Sequence, residues 1–378
     1  MQLESRRTLE PPVSDQYSPA QTLSDRNSST IQPLEPVTIE VVGESMREAW
    51  DGFLRNRPGA SFYHLHDWSR INSRFLGHES HYLAARRGGV IVGILPLVMV
   101  RSRLFGRILC SMPFVNYGGP VAEDESIALQ LAQRAAELAA GLRADYLELR
   151  CATPLATDMP VSLRKVSLTV ELQSDPEALF NSFSQKHRKN VRRAQKNGLE
   201  VIAGGIELLD DFYDVLQLSW RDLGTPIYSK EYFRAVVEAF PNNTRLYSCR
   251  SGKTPVSAAM VGMHEGTVEG MWAGTRADMR NLQSNYVIYW EMLRDTCVSG
   301  QKLFHLGRST ADSGAEQFKS KWNAQSHQLY WYFHRPRGGD MPGLNVDNPK
   351  YRLAIAAWRR LPLWVTRAIG PHIARGIP

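Results

Sequence analysis

Two stretches of the chain follow the same order of predicted elements, and this repeat limits the fold more than any other feature. Residues 129–150 and 288–308 each indicate a helix, a small-residue or glycine stop, and a short strand that ends at an arginine, Arg150 or Arg308. A predicted strand meander precedes each copy, with strands at 81–86, 90–100 and 108–112 in the first and at 245–249, 256–264 and 267–273 in the second. Because the match extends over so many elements, we predict a duplicated domain.

The order of elements also indicates the fold class. In each copy helices come first, then the meander, then a long helix at 126–142 or 285–298 and the closing strand. This is the order of the acetyltransferase-like (GNAT) fold, so we predict an α/β (α+β) protein with two tandem GNAT-like domains, each a mixed, mostly antiparallel sheet flanked by helices. The predicted boundaries are a disordered leader at 1–36, an N-terminal domain at 37–165, a C-terminal domain at 166–335 and a basic amphipathic tail at 336–378.

Composition excludes several classes of protein. With 43% hydrophobic and 22% charged residues in 378, the chain is globular, and its net charge of +7 favours anionic partners. The four cysteines are widely spaced and the ten histidines form no ligand pattern, so we expect reduced thiols, no disulfide frame and no metal site. The longest apolar run, Val90–Val100, is too short to span a bilayer, and the first residues lack the apolar core of a signal peptide. We expect a cytoplasmic protein.

The most basic stretch, residues 180–199, winds into a helix with two distinct faces. One face carries an apolar stripe of Phe180, Phe183, His187, Val191 and Ala194, and the other carries Lys186, Arg188, Lys189, Arg192, Arg193 and Lys196. No acid lies between Glu177 and Glu200, whereas solvated helices usually mix both signs. We therefore predict that the stretch binds an anionic substrate through Lys186, His187, Arg188, Asn190, Arg192 and Arg193. A merely solvated surface is the alternative.

From about residue 60 to the last residue, the chain resembles the FemAB-type transferases, specifically the group associated with exosortase/PEP-CTERM loci. The segments that carry the resemblance include PFVNYGGPV, DYLELR, KHRKNVRRAQKNGL, YVIYWEMLRDT and LGRSTADSGAEQFKSKW. The resemblance implies a duplicated GNAT fold and transfer of an acyl or aminoacyl group onto an amino group of a cell-envelope or exopolysaccharide precursor. One departure is His305, where the family pattern leads us to expect an acidic residue.

The resemblance also directs attention to the segment after the second closing strand. We predict that Gly307, Arg308, Ser309 and Thr310 form a turn before a helix at 315–322, where backbone N–H groups and a guanidinium would cradle an anion or oxyanion. The family pattern places a Phe-Lys pair, here Phe318 and Lys319, near the transferring carbonyl, with Trp322 beside it. The predicted catalytic residues are therefore Arg308 and Lys319. The alternative is a helix that buries Phe318 and Trp322 and leaves its lysines in water.

Two further segments complete the predicted site. Asn285 and Tyr286 begin the long helix at which a GNAT enzyme binds its donor, but residues 275–284 lack the glycines that let backbone approach a pyrophosphate. This weakens coenzyme A as the carrier and leaves both acyl-CoA and aminoacyl-tRNA open as donor substrates, with no tightly bound cofactor. Residues 116–120 are predicted to form a tight turn that faces the cleft, with Tyr117 and Gly118 beside the acceptor.

Together these patterns predict an N-acyltransferase or aminoacyltransferase that acts on a nucleotide- or lipid-linked saccharide, with tRNA as a further candidate partner. The tail after Asp347 is basic and rich in Leu, Ile and Trp. It either packs on the second domain or contacts an anionic inner membrane. A rival reading is a non-catalytic GNAT-fold module that binds RNA or polysaccharide.

Overall fold

Helices and strands alternate in the computed structural model, which describes residues 35–103, 105–339 and 349–378. All but the last two residues of the predicted leader, and residues 340–348 of the predicted tail, lie outside the described residues. The chain from Pro36 to Pro378 folds as a single unit. The predicted α/β class, with mixed, mostly antiparallel sheets flanked by helices, is confirmed.

The first half contains nine strands and three α-helices among its described residues. Their bounds are β1 (Thr38–Val42), α1 (Arg47–Leu54), α2 (Trp68–Leu76), β2 (Glu79–Ser80), β3 (Tyr82–Arg87), β4 (Val90–Leu95), β5 (Leu97–Ser102), β6 (Gly106–Ser111), β7 (Val121–Ala122), α3 (Glu125–Gly141), β8 (Tyr146–Cys151) and β9 (Val161–Ser162).

The second half continues the numbering. Its elements are β10 (Lys165–Glu171), α4 (Pro176–Ser182), α5 (Gln185–Gln195), β11 (Leu199–Gly204), α6 (Leu209–Leu223), α7 (Lys230–Ala239), β12 (Thr244–Ser251), β13 (Thr254–His264), β14 (Thr267–Thr275), α8 (Ser284–Val298), β15 (Leu303–Thr310), α9 (Gly314–Ser320), β16 (Gln325–Gln328), β17 (Tyr330–His334), α10 (Pro349–Trp358) and α11 (Leu363–Ala374).

Three sheets organise these strands, and the two larger ones share a local plan. Their orders are β2-β5-β6-β8-β17-β9 and β11-β12-β13-β14-β15-β10-β16, and the small sheet is β1-β3-β4-β7. In each large sheet a parallel pair is joined through a long helix: β6 and β8 through α3, and β14 and β15 through α8. The second strand of each pair then has an antiparallel neighbour, β17 beside β8 and β10 beside β15. The repeat seen in the sequence is thus a repeat of this unit.

The two halves share a strand and a core. Strand β17 comes late in the chain but pairs with β8 of the first half. The sheets are therefore not divided at residues 165 and 335. The domain boundaries proposed there remain predictions. The Phe62 ring lies 4.9 Å from that of Phe240, and a Cβ at Gly262 would fall 2.1 Å from Phe62. The halves therefore meet through packed apolar side chains.

Several local predictions need correction. The predicted strand at 90–100 is two strands in different sheets, because Pro96 lacks the N–H that a continuous ladder needs. The predicted helix at 180–199 is also two. It breaks after Ser182 because Phe183 is extended and the Ser184 side chain accepts the N–H of His187, which starts a new helix. The apolar stripe is nonetheless buried as the periodicity predicts.

The C-terminal tail packs on the body of the protein. Helix α11 lies against α6 and buries Thr366, Gly370 and Ala374 at a spacing of four residues. Pro371 lies inside α11 and does not end the helix. Among the described residues, no helix is long and apolar enough to cross a membrane.

Candidate active site at the divergence of β14 and β15

The site is built where the parallel strands β14 and β15 separate. They are in register at 267–269 and 303–305 and then diverge. Each strand carries a bulge there: the β13–β14 register shifts by one residue after Gly270, and the β10–β15 register shifts between His305 and Arg308. Gly307 has φ +83° and a Cβ there would lie 2.8 Å from the carbonyl oxygen of Gly270, so only glycine fits. The predicted turn at 307–310 is therefore part of β15.

Two cavities open on this point and share a wall. A cavity of about 200 Å³ lies between the diverging strands, and its lining includes Ala259, Tyr289 and Lys319. A second cavity, of about 350 Å³, is lined on the other side by Tyr63, Tyr228, Trp220 and other residues. Both cavities share the residues Asn116, Met271, Trp272 and Arg308. The arrangement offers one compartment for each of two substrates.

A loop of the first half reaches into this wall. The Asn116 Nδ2 atom donates to the Tyr63 hydroxyl oxygen at 2.8 Å and to the Gly270 carbonyl at 3.4 Å, and its Oδ1 atom accepts the Arg308 N–H at 3.4 Å. Residues 117–120 have no assigned secondary structure, in contrast to the predicted tight turn, and the Gly118 N–H donates to the Arg150 carbonyl at 2.9 Å. The segment thus lies near the cleft, as predicted, but its backbone conformation differs from the predicted turn.

Arg308 is a half-buried cation without a carboxylate within 4 Å in the described part of the chain. Its guanidinium carbon lies 5.1 Å from the centre of the Trp331 ring, and that of Arg150 lies 4.4 Å from the same ring. Burial, and then the charge of Arg150, lower the pKa of Arg308 to about 10. An anionic substrate group in either cavity would relieve this repulsion.

Lys319 is buried, in contrast to the alternative in which both helix lysines lie in water. Its ammonium donates to the carbonyl oxygens of Gly307 at 2.8 Å and Arg308 at 3.1 Å, which leaves one of three N–H donors for the cavity that it lines. Burial, and then the charge of Arg308, lower the pKa of Lys319 to about 8. Lys321, two residues on, is exposed.

Glu269 is the important site residue that the sequence analysis missed. It is fully buried on β14, where it accepts a hydrogen bond from the Tyr117 hydroxyl, and its Oε2 atom has no partner; Tyr63 also lies close enough to influence its pKa. Burial raises its pKa to about 8, against the lowering effect of the two tyrosines. Glu269 is in register with His305. The carboxylate expected at 305 is thus present on the neighbouring strand, a relation that sequence spacing alone does not show.

Three residues predicted to bind substrate make contacts that hold the structure together. His187 and Trp322 are buried, their ring centres 4.3 Å apart, in an aromatic cluster that also contains Phe183 and Tyr286. Burial, and then Lys321, lower the pKa of His187 to about 4, so the ring is neutral. Arg188 donates to the carbonyls of Asn181 and Phe183 and so holds the α4–α5 junction. The rings of His187 and Trp322 thus pack in an apolar cluster, whereas their positions in the sequence suggested a substrate role.

The remaining predicted residues lie around the cavities or beside them. Ser309 is buried on β15, Phe318 packs edge-on against Tyr286 at 5.7 Å, and Asn285 accepts from Thr275 at the start of α8. Lys186, Arg192 and Arg193 are exposed on α5 and Asn190 is half-buried. The Asn197 side chain donates to the Leu282 carbonyl at 2.9 Å and so fastens the end of the basic helix to the loop before α8. The basic face therefore flanks the start of that helix.

The described residues contain no cluster of three His, Cys, Asp or Glu side chains that could hold a metal ion. The four cysteines are buried free thiols.

Comparisons with known proteins agree with this geometry. Residues 183–320, which include α5, both diverging strands and Lys319, match the acetyltransferase (GNAT) domain family. The chain is similar in structure to FemX, with 14% identity, a TM-score of 0.61 and coverage of 84% of this chain and 100% of that one. It is also similar to the C-terminal domain of a putative lysylphosphatidylglycerol synthetase from Agrobacterium fabrum, with 12% identity, a TM-score of 0.53 and coverage of 76% and 90%.

No curated protein matches the sequence. At these identities the two solved structures establish a shared fold and no more. Residues 183–320 therefore match the acetyltransferase (GNAT) domain family, within a chain whose fold is similar to that of FemX.

Proposed function

We propose that this protein transfers an acyl or aminoacyl group from an activated donor to an amino group of a cell-envelope or exopolysaccharide precursor. One observation carries the proposal: Arg308 and Lys319 of the second half and Asn116 and Tyr63 of the first half meet in the wall between two cavities. Two adjoining cavities suit amide formation, because the acceptor amine must be held against the carbonyl carbon of the bound donor.

The donor side is the smaller cavity. GNAT domains typically use an acyl-CoA as substrate, and the start of α8 leaves its first N–H groups without a side-chain cap. The exposed cations of α5 add positive charge beside this helix start. An anionic carrier, either the pyrophosphate of acyl-CoA or the backbone of aminoacyl-tRNA, suits this surface. The segment 275–284, which has no glycine, keeps the tRNA alternative open.

The acceptor side is the larger cavity. Its aromatic lining of Tyr63, Trp220, Tyr228 and Trp272 suits the apolar faces of a sugar ring, and Arg308 suits a carboxylate or phosphate on the same acceptor. Asn116 would hold Tyr63 in place at the cavity wall.

The chemistry follows from these positions. The acceptor amine attacks the donor carbonyl carbon, a C–N bond forms, and the carbonyl oxygen becomes negative until the C–S or C–O bond to the carrier breaks. The free N–H of Lys319 would donate to this oxygen. The amine proton would pass through the Tyr63 hydroxyl to Glu269, and solvent would protonate the leaving thiolate or alkoxide.

A turnover assay tests the proposal against the non-catalytic alternative. Purified protein is incubated with acetyl-CoA or aminoacyl-tRNA and a panel of amino-sugar and peptidyl-saccharide acceptors. Free thiol or deacylated tRNA and the amide product are then measured by mass. We expect acceptor-dependent release with one of the two donor classes. Binding of RNA or saccharide without any amide product would support the rival instead.

A further inference from the structure

The C-terminal tail helices, α10 and α11, present a surface that the proposed chemistry does not use. Trp364 is 73% exposed and Leu353 is 72% exposed, and Ile369 is exposed as well. Exposed apolar side chains indicate an interaction site when several occur together. These three occur on two successive helices and are interspersed in the sequence with the exposed arginines Arg352, Arg360 and Arg367.

The charge of this segment has one sign only. Residues 349–378 contain six Lys or Arg residues and no Asp or Glu. Ordinary surface helices pair opposite charges for stability, and no such pairing is available here. A one-signed cationic surface with exposed Trp and Leu combines the two attractions that hold a protein at an anionic bilayer, charge at the headgroups and apolar insertion below them.

One side of α11 is packed against the body of the protein, so its exposed side faces away from the body. Thr366, Gly370 and Ala374 are buried against the body, and Trp364 and Ala368 lie exposed on the other face. Arg367 is exposed at the edge between the two faces, with its guanidinium carbon 6.0 Å from the centre of the Tyr213 ring on α6. The Arg375 carbonyl lies 2.6 Å from His78 Nε2 of the first half. The tail therefore contacts both halves and cannot turn its exposed face inward without losing these contacts.

The same tail borders the larger cavity. Ala374, Ile377 and Pro378 line it together with Arg308 and Tyr63. We propose that the face formed by Arg352, Leu353, Arg360, Trp364 and Arg367 docks on an anionic lipid bilayer. The docked protein would hold the larger cavity near the surface where a lipid-linked acceptor resides. The link to a lipid-linked acceptor rests on the proposed function, whereas docking on the bilayer does not depend on it.

The aliphatic members of the face favour a bilayer over a nucleic acid. RNA bases could stack on Trp364 and RNA phosphates could pair with the arginines, but RNA has no apolar surface that would bury the exposed Leu353 and Ile369. Hydrocarbon at the headgroup boundary accommodates all three apolar side chains.

The test is co-flotation of the full chain with vesicles of phosphatidylcholine containing 30 to 40% phosphatidylglycerol, about the anionic fraction that gives a strong surface potential. The triple variant R352Q/R360Q/R367Q should bind about a hundredfold more weakly, since each cation near such a surface contributes about fivefold. Trp364→Ser should weaken binding about tenfold and should abolish the blue shift of tryptophan emission on binding.

The matched control is K186Q/K189Q/R193Q on α5, which removes the same three charges from another face. It should float like the wild type. Equal loss in both triple variants would mean that net charge alone is responsible and would overturn the proposal, as would a wild type that stays unbound or that binds RNA in place of vesicles. Turnover with a soluble acceptor is measured in parallel. Failure of docking with turnover intact, or the reverse, separates this inference from the proposed function.

Discussion

The two halves of the molecule use the same strand–helix–strand unit for different ends. In the first half, Arg150 on β8 is paired with Glu148 at 2.6 Å, and both side chains are buried. In the second half the corresponding Arg308 has no such partner in the described chain and lines two cavities. On β8, Glu148 lies two residues before Arg150. On β15, His305 lies three residues before Arg308, because the bulge at Gly307 adds one residue to the strand. Arg150 thus has a buried carboxylate partner, and Arg308 lines the cavities without one in the described chain.

The first turns of the two long helices, α3 and α8, also differ in whether the protein itself satisfies their N–H groups. At α3 the Asp124 side chain accepts the Ile127 N–H at 2.9 Å, and Glu123 and Glu125 flank it. At α8 no side chain caps the first turn and no acid lies within it. The first half has a cavity of about 400 Å³, but those three carboxylates line it and would repel an anionic carrier. Under the proposed function, the strand–helix–strand unit occurs twice but only the second copy binds the donor, and the first half contributes Asn116, Tyr63 and Tyr117 to the site.

The largest expected effect distinguishes the two arginines by stability. Arg150→Met leaves Glu148 as an unpaired buried charge and should lower the free energy of unfolding by about 3–5 kcal/mol. Arg308→Met removes a cation that has no such partner and should change stability little while it abolishes turnover. Urea unfolding of both variants checks this. Equal destabilisation would mean that Arg308 is as structural as Arg150.

The next effect concerns the buried carboxylate that only the second half has at this register. Glu269→Gln should lower turnover by about a hundred- to a thousandfold, because it removes the proton acceptor. In the wild type, turnover should rise with pH up to about 8 as Glu269 ionises and fall above about 8 as Lys319 loses its charge. The variant should lose the rising limb.

Stability offers an independent check of the same group. The pKa of Glu269 is raised from 4.5 to about 8 by burial, so between those pH values the folded state binds more protons than the unfolded state. Wild-type stability should therefore fall as pH rises through this window, and Glu269→Gln should reduce that fall. Identical pH dependence in both proteins would place the carboxylate outside this account.

A somewhat smaller loss is expected at Lys319. Lys319→Met keeps the volume and removes the oxyanion donor, so turnover should drop by about a hundredfold. Acceptor affinity should stay within about twofold, since the negative oxygen exists only near the transition state. The exposed Lys321→Met is the matched control. If both variants turn over normally, the oxyanion is held elsewhere.

The smallest effect belongs to the helix start of the first half. Asp124→Ala should cost about 1 kcal/mol of stability through loss of its cap. It should leave turnover unchanged, because the first half does not bind the donor in this account. Thermal unfolding and the turnover assay measure the two quantities. A clear loss of turnover at full folding would move the donor to the first half.

The sequence predicted the architecture well because periodicity and stop signals are local. Helix α8 and strands β12 to β14 lie within a few residues of their predicted bounds. Strands β10, β11 and β17 were not predicted. Their pairing partners are distant in the chain, and β10 begins at the predicted boundary between the two domains.

The candidate site was predicted in part for the same reason. Arg308 and Lys319 are close in sequence, and the structure brings them together. Glu269, Asn116 and Tyr63 come from three separate elements, and only the pairing of β14 with β15 and the entry of the 113–120 loop unite them. The basic stretch showed its cationic face in the sequence, but not that Arg188 would be used to hold a helix junction.

The most direct test of the central claim fills each half's cavity in turn. Ala273 on β14 lines the smaller second-half cavity and is exposed, and Ala128 on α3 lines the first-half cavity. We expect Ala273→Trp to abolish donor binding, measured by titration calorimetry with a non-hydrolysable donor analogue, and Ala128→Trp to leave it unchanged. Loss of donor binding in Ala128→Trp, with full binding in Ala273→Trp, would contradict the account.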